Sequence, residues 1–75
     1  MAQSHAIAIF CANIAYLRKT HGLSKREMCR RLHIGLQTLQ KLEKGILPPG
    51  LSSEIVIYAA ESFGLSPSAL FRHLP

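Results

Sequence analysis

Negative charge is what this chain has least of. Its 75 residues hold four acidic side chains, all Glu, against nine Lys and Arg, for a net charge of +5. No carboxylate pair suited to acid–base chemistry stands out among the four. The imbalance instead suits a polyanionic partner, either nucleic acid or an anionic membrane surface. Cysteine is scarcer still. Cys11 and Cys29 are too few for a disulfide-stapled secreted scaffold, and both lie among apolar neighbours, as free thiols do in a reducing compartment. Long apolar runs are missing. The most apolar stretch, 6–17, is about half a membrane span and contains Asn13. It does not read as a secretion signal, because residues 1–5 carry no Lys or Arg and no small-residue cleavage site follows. The expected location is cytoplasmic, with no membrane partner. Tryptophan is absent and aromatics are 7% of the chain. Only Tyr16 lies among the basic residues, so the stacking platforms of single-strand RNA binders are lacking. There is no Gly-rich phosphate loop and no low-complexity or repeated segment. A chain of this length forms one domain, 1–75, with little wall for a substrate cavity. Neither an enzyme nor a small-molecule substrate is expected, and no cofactor.

What is present is a globular apolar content of 48% and an uneven charge. Residues 1–45 carry eight basic side chains (Arg18, Lys19, Lys25, Arg26, Arg30, Arg31, Lys41 and Lys44) against Glu27 and Glu43. Residues 46–75 carry Arg72 against Glu54 and Glu61. The basic character therefore belongs to the first two thirds.

Apolar residues recur near every 3.6 positions, and all five glycines fall where that rhythm breaks. This predicts an all-α domain of five helices, at about 5–20, 25–32, 36–44, 52–63 and 67–73. Ile7, Phe10, Ile14 and Leu17 form the first apolar stripe. Ser24 with Glu27 three residues on is a capping box, with Leu23 and Met28 as its staple. Met28, Cys29 and Leu32 form the inner face of the second helix, and Leu39 and Leu42 that of the third. Pro48 and Pro49 break the helical run. Ser52 or Ser53 caps the fourth helix, whose stripe is Val56, Ala59, Ala60 and Phe63. Ser66 caps the last, with Pro67 at its first position.

The stretch 23–45 carries a more specific pattern. Leu23-Ser24 precede the second helix, Glu27-Met28-Cys29 follow, and Leu32, Ile34, Thr38, Leu39, Leu42, Glu43 and Gly45 complete it. Asn13-Ile14 and Leu17-Arg18 lie upstream, and Gly64-Leu65-Ser66 downstream. This arrangement resembles, without a gap and over about residues 10–72, the helix-turn-helix of the lambda-repressor/Cro-like (XRE) family. The resemblance implies a compact five-helix fold that binds double-stranded DNA. The helix at 36–44 would enter the major groove, with Leu36, Gln37 and Lys41 at base edges. Lys25 matches a phosphate-contacting position of the family. Gly35 and Thr38, at a helix N-terminus that favours anions, are further phosphate candidates, as are the polar side chains of Arg26, Gln40 and Lys44. Arg18 and Glu43 match a pair that in some relatives forms a partly buried salt bridge. The chemistry agrees: Gln pairs with adenine, Lys donates to guanine, and Leu meets a thymine methyl or packs.

Several positions depart from the family pattern. Gly35 stands where a Ser or Thr cap is usual, and Leu36 where polar readers are common. His33 replaces a turn glycine and so is expected at positive φ. Lys25 replaces Gln, and the loop 46–51 is about two residues longer. Gly35 and Leu36 also fit a second reading, a protein-interaction or antitoxin-like adaptor on the same fold. Leu70, Phe71 and Leu74 either close the core against the first helix or, like Ile46 and Leu47, form a homodimer patch. Cys29 and His33 share a helix face and could join Cys11 or His5 around a metal, but no second close ligand pair exists, so no metal is expected.

Overall fold

A computed structural model describes residues 5–46 and 53–72. Within them the chain forms four α-helices: α1 (His5–Thr20), α2 (Lys25–Leu32), α3 (Leu36–Glu43) and α4 (Ser53–Phe63). A 3-10 segment, Pro67–Phe71, follows, and no strand occurs among the described residues. The class is all-α, but the fifth helix expected over 67–73 is this shorter 3-10 segment. Its bonds close over three residues, from the Ala69 N–H to the Ser66 carbonyl and from the Arg72 N–H to that of Ala69. Runs this short commonly settle in the tighter geometry. Ser66 precedes it without a side-chain cap bond; its hydroxyl instead meets that of Ser68 at 3.3 Å. The expected loop prolines, Ser52, Leu47 and Leu74 lie outside the described residues.

Local chemistry sets each boundary. α1 stops at Thr20, the chain turns at Gly22, whose φ of 64° suits glycine, and the Leu23 N–H then returns to the Arg18 carbonyl at 2.9 Å. α2 begins with both halves of the capping box. The Ser24 hydroxyl accepts from the Glu27 N–H at 3.1 Å, and the Glu27 carboxylate accepts from the Ser24 N–H at 3.0 Å. The bond from the Ser24 N–H, and after it the nearby Ser24 hydroxyl, hold the Glu27 carboxyl below its ordinary value.

The core is drawn from every element. Phe10, Ile14 and Leu17 of α1 meet Met28 and Leu32, Leu39 and Leu42, Ile55, Ala59 and Ala60, and Leu70. Ile7, Cys29, Val56 and Phe63, placed on inner faces by periodicity, pack against this core but stay partly open. Ile55 is enclosed although the stripe of α4 did not include it.

Three contacts hold the 3-10 segment and the residue after it on α1. The buried Asn13 amide donates to the Leu70 carbonyl at 2.8 Å and the Arg72 carbonyl at 2.6 Å, and the rings of Phe10 and Phe71 stack at 5.2 Å. Leu70 is fully enclosed. Leu70 and Phe71 therefore close the core against α1. No helix among the described residues is long and apolar enough to cross a membrane.

Candidate nucleic-acid interface

The site is built around a three-residue turn between two short helices. α2 stops at Leu32, and His33 takes a left-handed conformation with φ 57° and ψ 44°. The backbone N–H groups of His33 and Ile34 both donate to the Cys29 carbonyl, which finishes the helix. Gly35 then opens α3 with an extended φ of −80°. It has no side chain to cap the first N–H groups of α3, and its own position is exposed.

Leu39 and Leu42 are fully buried, and they fix which side of α3 faces outward. Gln37 and Lys44 stand opposite them, flanked by Gln40 and Lys41, and all four are exposed. Leu36, at the first position, is 43% exposed, so it does not pack away against the turn. Thr38 is half-buried on the flank. Lys44 lies just past the helix, whose last residue is Glu43 rather than the expected 44. Lys25 and Arg26 are exposed in the first turn of α2.

Not every cation is free to meet a ligand. The Arg18 Nε donates to Glu43 Oε2 at 2.6 Å and its Nη2 to Oε1 at 3.1 Å. Its third nitrogen reaches the Leu23 carbonyl at 3.2 Å. The side chains are only 16% and 13% exposed. This two-pronged pair joins α1 to the end of α3 and to the residue before the α2 cap, and Glu43 holds the guanidinium firmly charged. Arg31 is also engaged. Its guanidinium lies 5.5 Å from the centre of the Phe63 ring, and Nη1 reaches the Ser62 carbonyl at 3.4 Å.

The His33 ring stacks on Tyr58 of α4, with centroids 4.0 Å apart and planes 20° from parallel. Burial and, after it, the Glu43 charge push the Cys29 thiol up, toward its protonated form. Among the described residues no group of three or more His, Cys, Asp or Glu side chains could hold a metal ion. The Tyr58 stack, the Arg31–Phe63 contact and the Asn13 bonds were not anticipated from sequence. Each joins residues too far apart in the chain for any periodic signal to mark them.

A family model described as helix-turn-helix matches residues 14–70, from the middle of α1 through to the 3-10 segment. No curated protein and no solved structure matches the chain. The matched family consists of DNA-binding regulators and is not typically enzymatic. With most of its length inside the match and its turn, capping box and buried Leu39–Leu42 pair in place, the chain belongs to the XRE/lambda-repressor-like helix-turn-helix family of DNA-binding domains.

Proposed function

We propose that this chain is a transcriptional regulator of bacterial or phage type that acts in the cytoplasm by inserting α3 into the major groove. One observation carries the reading: α3 buries Leu39 and Leu42 while Gln37, Gln40, Lys41 and Lys44 stay exposed beside Leu36. That helix is narrow enough for a groove about 12 Å wide. Leu36, Gln37 and Lys41 meet base edges. Lys25, Arg26, Gly35, Thr38, Gln40 and Lys44 meet phosphates, which fix register without reading sequence. Two copies on half-sites about 34 Å apart would supply the affinity that one small domain lacks.

The exposed Leu36 and the uncapped Gly35 favour one alternative, a protein-interaction adaptor with weak DNA binding. A salt series on selected and random duplexes separates the two. A groove-reading regulator binds the selected duplex more tightly at every salt concentration, and its affinity falls steeply as salt rises. Absence of binding at low salt would falsify the DNA reading. Equal affinity for both duplexes leaves only the adaptor.

A further inference from the structure

Among the described residues His33 alone, other than glycines, has positive φ. A side chain there carries a steric cost that glycine avoids. The residue sits between the two helices of the motif, so its φ and ψ set the angle at which α3 leaves α2. Gly35, two residues on, contributes no cap bond to steady that angle. The support comes from α4. Tyr58 stacks on the His33 ring at 4.0 Å, the Ser62 hydroxyl donates to the Arg31 carbonyl at 3.4 Å, and Phe63 lies under the Arg31 guanidinium at 5.5 Å. All three contacts fall on the last residues of α2 and on the turn itself.

The geometry points to Tyr58 as a positioning residue for DNA recognition: by holding the His33 ring, α4 keeps the turn in the left-handed conformation that aims α3. Tyr58 lies outside the helix-turn-helix and contacts no DNA in this scheme. The inference rests on the DNA-binding reading above. It explains how a turn without its customary glycine keeps one geometry. Positions 33 and 58 are therefore coupled, since a glycine in the turn would need no ring to hold it.

The test is a double-mutant cycle with two readouts, the dissociation constant for the selected duplex and the melting temperature. Tyr58→Leu removes the ring while keeping bulk, and Tyr58→Phe keeps the ring and guards against a general packing effect. Tyr58→Leu should weaken binding about five- to tenfold, the size of one lost ring stack. Tyr58→Phe should bind like the wild type. In the His33→Gly background, Tyr58→Leu should change affinity less than about twofold, because the turn no longer depends on the stack. The same loss in both backgrounds overturns the inference, as does a lower melting temperature with unchanged affinity. Failure of the wild-type protein to bind any duplex would overturn the DNA reading itself and is seen before any variant is compared.

Discussion

Leu36 is limited by its chemistry to apolar contact, and the apolar feature of the major groove is the thymine C5-methyl. Replacing one thymine at a time by deoxyuridine in the selected duplex removes that methyl and nothing else. At the contacted position the wild-type protein should lose about fourfold in affinity, the worth of one buried methyl. Leu36→Ala should be indifferent to the exchange, and equal losses in both proteins would take Leu36 out of the groove. Arg18 is tested differently, because its place is inside the fold. Its two bonds to Glu43 and one to the Leu23 carbonyl leave the guanidinium mostly covered. Arg18→Ala strands the Glu43 carboxylate, and removing one partner of a covered pair costs about 2–4 kcal/mol. Chemical denaturation should show that loss, together with weaker DNA binding through a displaced α3. A change below about 0.5 kcal/mol would make the pair an ordinary surface contact.

At the scale of helices, the start of α2 has a built-in acid sensitivity. The capping box lowers the Glu27 pKa in the folded protein. A lowered folded pKa contributes stability that is present above the unfolded value of 4.5 and lost as pH falls through the folded one. Melting temperatures followed downward from pH 5 should therefore fall, and Glu27→Gln should flatten part of that slope. An identical slope in the variant would assign the acid loss to other groups. The same box was legible in sequence, because Ser24 and Glu27 signal each other at a fixed local spacing. The breaks at Gly22, Gly45 and Gly64 were legible too, as all three take positive φ. The outward face of α3 followed from the spacing of Leu39 and Leu42. The 3-10 form of 67–71 did not, since Ser66 and Pro67 announce a helix start of either kind. Side-chain bonds between elements also left no trace. Asn13 reads as a polar blemish on an apolar helix until the Leu70 and Arg72 carbonyls arrive beside it from 57 and 59 residues away. Tyr58 and His33 are equally silent, because a stack depends on how α4 crosses α2 and not on either residue's neighbours.

Over the whole molecule, the charge excess first visible as a scarcity of Glu is subdivided by the fold. Arg18 is bound by Glu43, and Arg31 is turned toward Phe63 and Ser62 of α4. Lys25, Arg26, Arg30 and Lys41 remain exposed on the two helices of the motif, and Lys44 is exposed just past the end of α3. The counterion release that drives DNA binding should therefore come from this subset. Each phosphate contact contributes about 0.9 to the slope of log affinity against log salt. Lys25→Ala and Lys44→Ala should each flatten that slope by about 0.9 per bound copy, at random and selected sequences alike. Arg31→Gln should leave it nearly unchanged, because Arg31 faces another helix. The size of the step also reports how many copies bind. In a symmetric dimer every substitution occurs twice, so one replacement should remove roughly 1.8 from the slope. A step near 0.9 on a duplex carrying two half-sites means that one domain holds the DNA alone, and a flattening for Arg31→Gln as large as for Lys25→Ala would mean that the whole basic surface, not the α2–α3 face, meets the phosphates.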